Sequence, residues 1–217
     1  MNKKKSYCII ISILFLITSD SNNVNNFYQN IKFVENPNSY LVLVNKNNQL
    51  QSNYIPFDLE NISLKYSNKG KSLRKKAKIQ FENLSEEANK LGYRIIAVST
   101  YRDYNYQHEL FNYYVKEKGL NYALNCSAKP GHSEHQTGLA IDVEGSNMDY
   151  DNFEKSKEYV WMKDNAHKFG FILRYPKGKE HITGFKFEPW HYRYVGIKNA
   201  TYIYQNNLTL EEFLKIK

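Results

Sequence analysis

Two short stretches of the chain hold residue types that could share a metal ion. In Ser133-Glu134-His135-Gln136-Thr137-Gly138-Leu139-Ala140-Ile141-Asp142, an imidazole precedes a glycine and a carboxylate follows it. Chain reversal at Gly138 would bring His135 and Asp142 onto one centre. The second stretch is Glu188-Pro189-Trp190-His191. Pro189 is incompatible with a helix interior, so this is not the helical arrangement of a HExxH zinc site. On a strand, His191 points away from Trp190 and Tyr192 and would reach the first pair from a facing strand. Two histidines and one aspartate make three protein ligands. A catalytic zinc takes three and keeps a fourth position for water, whereas a structural zinc closes with four. Spacing alone also fits histidines that are merely packed or hydrogen-bonded, and that alternative stays open at this point.

Two further residues would complete a hydrolytic site. Glu188, three residues before His191, is placed to take a proton from a water attacking a carbonyl beside the metal. Arg102 follows a strand that ends at Ser99 and offers a fixed cation for a substrate carboxylate or a developing oxyanion. Trp190 could wall the pocket between base and ligand, although the alternation Trp190, Tyr192, Tyr194 fits a core as well. His132 and Glu134 read as residues that fix the motif loop or back the metal ligands, His108 as solvent-facing, and His167 and His181 as hydrogen-bonded structural residues. Cys126, with no motif near it that would lower its pKa, reads as a small buried residue.

The elements that must carry these groups can be read from periodicity. Leu73, Ala77, Phe81, Leu84, Ala88 and Leu91 recur three or four apart, predicting a helix from Lys71 that stops at Gly92. Arg94–Ser99 then reads as a buried strand. Asp103 can cap a second helix closing at Gly119, a Pro130-Gly131 turn follows, and Leu139–Val143 is a short strand. A third helix is predicted from Asp151 to His167, with Phe153, Val160 and Trp161 on its apolar side and Gly170 as its stop. Phe171–Tyr175 and Trp190–Val195 read as strands, and Thr209-Leu-Glu-Glu212 is a capping box opening a C-terminal helix. Upstream, Tyr40–Val44 reads as one short strand in a polar, Asn-rich lead-in. Helices and strands mix without a strict βαβ rhythm, which favours an α+β domain over a parallel doubly wound sheet.

Length and composition set the frame. The chain has 217 residues, 41% hydrophobic, with 19 Tyr and 12 Phe, enough for one domain with a substantial core. Thirty Lys and Arg against 22 Asp and Glu give a net charge of +8, a surplus that suits an anionic partner and says nothing about fold. Lys3, Lys4 and Lys5 precede an apolar run from Cys8 to Ile17, which is the pattern of an export signal or an uncleaved N-terminal anchor. Cleavage would remove Cys8, leave Cys126 without a partner, and lower the charge to about +5 or about +6. The expected organisation is residues 1–20 as signal or anchor, 21–60 as a polar spacer and lead-in, and 61–217 as the catalytic domain.

The segments Ser99-Thr-Tyr-Arg102, Pro130 to Asp142, Asn165 to Ile172, Arg174 to Glu180 and Glu188 to Gly196 resemble, in order and with ordinary spacing, the VanY-type zinc D-alanyl-D-alanine carboxypeptidases. The likeness covers about residues 70–200, and its most specific part is the joint occurrence of SxHxxGxAxD at Ser133–Asp142 and ExxH at Glu188–His191. By this resemblance His135, Asp142 and His191 ligate Zn2+, Glu188 is the catalytic base, and Arg102 stabilises the transition state. Gln107 and Ser133 match positions that bind the terminal D-alanine. The resemblance also implies a small α+β domain whose antiparallel sheet carries the zinc site, flanked by helices. The implied activity is hydrolysis of the terminal D-alanine from peptidoglycan stem peptides. Related zinc sites serve L,D-carboxypeptidases and L-alanyl-D-glutamate endopeptidases, and a catalytically silent wall-binding module is a further alternative. The expected protein is a monomer outside the cytoplasm, secreted or anchored at an anionic wall. It would meet a membrane only through its N-terminus and bind no nucleic acid.

Overall fold

The computed structural model describes residues 27–146 and 150–215. The export signal or anchor predicted at residues 1–20 lies outside them. In chain order the elements are β1 (Lys32–Phe33), β2 (Asn48–Gln49), β3 (Leu59–Asn61), β4 (Ser72–Arg74), α1 (Lys75–Lys90), β5 (Ile96–Ser99), α2 (Tyr104–Lys118) and α3 (Leu120–Cys126). These are followed by β6 (Ala140–Glu144), α4 (Lys157–Asn165), β7 (Phe171–Leu173), α5 (Glu180–Thr183), β8 (His191–Tyr194), α6 (Ile197–Gln205) and α7 (Leu210–Lys215). Four of the strands form one antiparallel sheet in the order β5-β6-β8-β7. The architecture is α+β, as the mixed pattern predicts.

The sheet and α1 share the main core. Ala77, Phe81, Leu84 and Ala88, spaced as one helical stripe, are fully buried against residues of the sheet such as Ile141, Val143 and Phe171. The helix begins later than periodicity suggests. Ser72–Arg74 pair with Leu59–Asn61 instead, so Leu73 is buried from a strand, and Lys75 opens the helix. Leu91 is exposed beyond its end. Asp103 caps α2, its Oδ1 accepting from the Tyr106 amide at 2.7 Å, and Gly119 (φ 86°) both closes α2 and starts α3, which the periodicity does not reveal. The predicted third helix is broken into a 3-10 turn (Tyr150–Lys155), α4 capped by Ser156, and a second 3-10 turn (Ala166–Phe169) before Gly170. Its core side is Phe153, Met162 and Ala166, and Val160 faces solvent. At the C-terminus the capping box forms as read, with Thr209 N donating to Glu212 Oε2 and Glu212 N to Thr209 Oγ1.

Two readings of the lead-in are corrected. Val42, Val44 and Leu50 belong to the main core, so the described part of residues 21–60 is built into the domain rather than strung before it. Tyr40–Val44 is also not a strand. Arg193 Nη2 donates to the carbonyls of Tyr40 (3.2 Å) and Val42 (2.7 Å), so a buried guanidinium takes backbone acceptors that a sheet ladder would otherwise use. Cys126, expected inside, is exposed on the last turn of α3. Among the described residues no helix is long and apolar enough to cross a membrane.

Candidate active site

The site is assembled on one row of the sheet. In the ladder Ser99 of β5 stands opposite Asp142 of β6, and Asp142 stands opposite His191 of β8. Residues opposite one another in an antiparallel ladder project from the same face, so the carboxylate and imidazole are brought together by register. His191 thus comes from the neighbouring strand of the same sheet, not from a facing strand. The register shifts between Ala97 and Ser99, a bulge that re-aims the end of β5 toward this row.

His135 joins from above, on a 3-10 turn at Glu134–Thr137. Ser133 Oγ accepts from the His135 amide at 3.4 Å, and Gly138 ends the turn in the left-handed region (φ 65°). A Cβ at Gly138 would lie 2.9 Å from Leu59 Cδ2 and 3.0 Å from Arg74 Cγ. The reversal read from the sequence therefore needs glycine for its dihedral and for its space.

His135, Asp142 and His191 each offer one ligand atom, all within 4.8 Å of one another and all buried. The two rings are 5.1 Å apart at 77°. His135 Nδ1 is 2.6 Å from the Thr100 carbonyl, so it carries the proton there and leaves Nε2, 3.2 Å from Asp142 Oδ2, as a free lone pair. His191 is turned the other way. Its Nδ1 faces Asp142 Oδ1 at 2.8 Å and Glu188 Oε2 at 3.7 Å, while its Nε2 faces Glu134 Oε2 at 3.5 Å. Two imidazoles and a carboxylate converging in a buried pocket, with the far nitrogen of His135 held by a carbonyl and that of His191 facing a carboxylate, fit a zinc ion.

Electrostatics agree with that fit. Burial, with Arg102 beside it, lowers the His135 pKa and keeps its imidazole neutral. Asp142 sits well below the usual carboxylate range because the two histidines outweigh the burial that opposes ionisation. For His191, burial favours the neutral ring, but hydrogen bonds to Asp142 and Glu134 raise it to about 9. A metal at Nδ1 would displace that proton. Burial pushes the Glu188 carboxyl up to about 7, despite His191 and Arg102 nearby, which suits a group that takes and returns a proton near neutrality.

The remaining predicted residues divide between the cavity wall and its support. A cavity of about 360 Å³ opens over His135, Asp142 and His191, and Arg102, Ser133, Glu188 and Trp190 line it together with Tyr114, Tyr122 and Phe185. Arg102 Nη1 donates to Ser99 Oγ at 2.7 Å and lies 3.9 Å from Asp142 Oδ2, while its Nε donates to Gln107 Oε1 at 3.2 Å. Gln107 is buried behind the wall, its Nε2 donating to Ser127 Oγ and the Ala128 carbonyl. Gln107 thus holds Arg102 and does not face the cavity. A second cavity of about 440 Å³ lies on the other side of β7 against α4 and α6, and none of the predicted site residues lines it.

Of the other histidines, His108 is exposed as expected, His132 Nδ1 is bonded to the Asn45 carbonyl at 2.8 Å, and His167 stacks on Tyr204. His181 is exposed on α5. Sequence reasoning named Glu134 as a support of the motif but missed Tyr175 and the two arginines beneath the site. Tyr175 stacks on the His191 ring at 4.9 Å, and Glu134 is clasped by Arg174 and Arg193, all three side chains fully buried. The signal was present: Arg174 and Arg193 each interrupt an otherwise apolar or aromatic run, and a charge inside such a run must be paired.

Fold and site together define a VanY-like zinc peptidase, a hydrolase. The family model described as "VanY: D-alanyl-D-alanine carboxypeptidase" matches residues 70–197, and the chain belongs to that family. The D-alanyl-D-alanine carboxypeptidase of Enterococcus faecalis (strain ATCC 700802 / V583) is 36% identical over 183 residues, which are 80% of this chain and 65% of that protein. The solved LdcB LD-carboxypeptidase superposes with a TM-score of 0.80 at 41% identity, covering 86% of this chain and 91% of its own. The D,D-pentapeptidase VanY of a VanB-type resistance cassette, solved with Zn(II), gives 0.67 at 35%, covering 81% and 98%.

Proposed function

We propose that the protein is a zinc-dependent carboxypeptidase that removes the C-terminal D-alanine from peptidoglycan stem peptides. The observation that carries this reading is the convergence of His135 Nε2, Asp142 and His191 Nδ1 beside Glu188 and Arg102 in one cavity. Those three residues would hold the ion. Zinc bound there supplies Lewis acidity toward the scissile carbonyl and lowers the pKa of water. Glu188 takes the proton from the attacking water and returns one to the amine of the departing D-alanine. Arg102, already fixed by Ser99 and Gln107, opposes the negative charge that develops on the carbonyl oxygen without having to reorganise. Ser133 and Trp190 line the cavity where the terminal residue is bound, and Gln107 serves through Arg102.

A second reading is a tetrapeptide-specific L,D-carboxypeptidase, favoured by the likeness to LdcB. Both readings release D-alanine and differ in the residue before it. Purified tri-, tetra- and pentapeptide muropeptides, incubated with and without chelator, separate them. Conversion of pentapeptide to tetrapeptide, abolished by chelator, is the expected profile. Conversion of tetrapeptide alone selects the L,D reading, and zinc-loaded protein that releases no D-alanine from either overturns the proposal. Lys3–Lys5 and the apolar run after them support action outside the cytoplasm as a secreted or anchored protein, with net positive charge toward an anionic wall.

His135→Ala is expected to leave the fold intact and to remove most of the bound zinc, since two protein ligands remain of three. Elemental analysis of the purified variant measures this. One zinc per chain in that variant would rule out the ligand set.

A further inference from the structure

Glu134 precedes His135 in the chain but serves the other histidine. Its Oε1 accepts from Arg193 Nη1 at 2.6 Å and from Arg174 Nε at 2.8 Å. Its Oε2 receives neither guanidinium and lies 3.5 Å from His191 Nε2. Both of those atoms are buried, and neither makes a hydrogen bond, so each faces the other as an unpaired polar atom. Behind them, Arg174 Nη1 and Nη2 make a two-pronged contact with the Glu211 carboxylate at 2.9 and 2.7 Å. Two carboxylates and two guanidiniums thus balance in a region closed to water.

We propose that Glu134 is a positioning residue for the metal, fixing His191 with its proton on Nε2 so that Nδ1 is the atom presented to the ion, with Arg174, Arg193 and Glu211 holding the carboxylate in place. The proposal rests on the metal reading of His135, Asp142 and His191. The two ligand histidines are then set by different devices. His135 gives its Nδ1 proton to a backbone carbonyl, that of Thr100, whereas the Nε2 of His191 stands 3.5 Å from a carboxylate that can take its proton. A carboxylate behind a ligand imidazole orients the ring and raises its basicity. The anion is tolerated at this depth because both arginines reach it.

The clamp extends beyond the stretch that the family model matches. Glu211 stands on α7, and Arg193 Nη2 holds the carbonyls of Tyr40 and Val42, all outside residues 70–197. Glu211 Oε1 also accepts from Asn45 Nδ2 at 3.3 Å. Segments near both ends of the described chain therefore connect to a metal ligand through two buried links.

The test is zinc affinity of the full chain, measured by competition with a chromophoric chelator, together with the His191 Nε2–H signal in zinc-loaded, 15N-histidine-labelled protein. Glu134→Gln is expected to weaken zinc binding roughly 10–100-fold and to shift or lose that signal. Glu134→Asp should recover part of the affinity, and Glu211→Gln should weaken it in the same direction by less. A folded Glu134→Gln protein that melts lower but binds zinc within about twofold of the parent assigns Glu134 a merely structural role and overturns the proposal. Where that variant does not fold, the parent spectrum decides: zinc uptake with the His191 proton on Nδ1 overturns this proposal alone. A parent that takes up no zinc overturns the metal reading along with it.

Discussion

Glu188→Ala is expected to keep its zinc and to lose D-alanine release by about a thousandfold in kcat, within the range that a positioned general base contributes. The geometry separates base from ligand. Glu188 Oε2 stands 3.7 Å from His191 Nδ1, while Asp142 Oδ1 is already at 2.8 Å from the same nitrogen. Its backbone is fixed independently of its side chain, because Glu188 N donates to the Tyr175 carbonyl and His191 N to the Glu188 carbonyl. Truncating the side chain therefore leaves the ligand strand where it is. Glu188→Gln, which keeps the size but cannot accept a proton, should lose activity to a similar extent with little change in KM. Zinc content by elemental analysis and D-alanine release from a defined stem peptide measure the two halves separately. Undiminished release would sink the assignment of the base, and loss of zinc would make Glu188 a ligand.

The candidate site was largely legible in the sequence because its geometry follows from local rules. A glycine at 138 forces the reversal above β6, strand alternation selects the faces of Asp142 and His191, and Pro189 excludes a helix at the second motif. The pairing of Asp142 with His191 was not legible, since strand order is a tertiary fact that neither motif encodes. The fold was legible where periodicity is long, as in the Ala77 to Ala88 stripe, and failed where tertiary contacts override it. Tyr40–Val44 has the apolar pattern of a strand, yet a guanidinium from residue 193 satisfies its carbonyls. Leu73 fits the helical stripe by spacing, yet β3 captures it in a ladder. The clamp beneath the site escaped for the same reason, its partners being separated by 37 to 59 residues along the chain.

Arg193→Met tests how far the fold depends on that clamp, and it is expected to destabilise the protein by about 3–5 kcal/mol. The side chain is fully buried and each of its nitrogens donates: Nη1 to Glu134, Nη2 to the Tyr40 and Val42 carbonyls, and Nε to the Tyr194 carbonyl. Methionine fills similar volume but leaves Glu134 with one guanidinium and strips the acceptors in the 40–44 segment of their donor. Each buried group left unpaired costs about 1–3 kcal/mol, and because these share one network the costs will not simply add. For a domain of this size a loss of 3–5 kcal/mol corresponds to a fall in Tm of roughly 6–20 °C. The effect also has a pH signature. Burial opposes ionisation of Glu134, but Arg174 and Arg193 hold its carboxyl well below the ordinary carboxylate range. In the parent, the stabilisation from ionised Glu134 is complete above that ordinary range and is lost progressively as pH falls from there to the depressed folded value. Removing Arg193 raises that value, so the gap between parent and variant should be full at pH 7 and narrow in strong acid. Thermal melts at neutral pH and at about pH 3 measure both features. A variant that melts within about 2 °C of the parent at pH 7 would show that the guanidinium is dispensable to the fold, leaving its place beside Glu134 to be explained by the metal site alone.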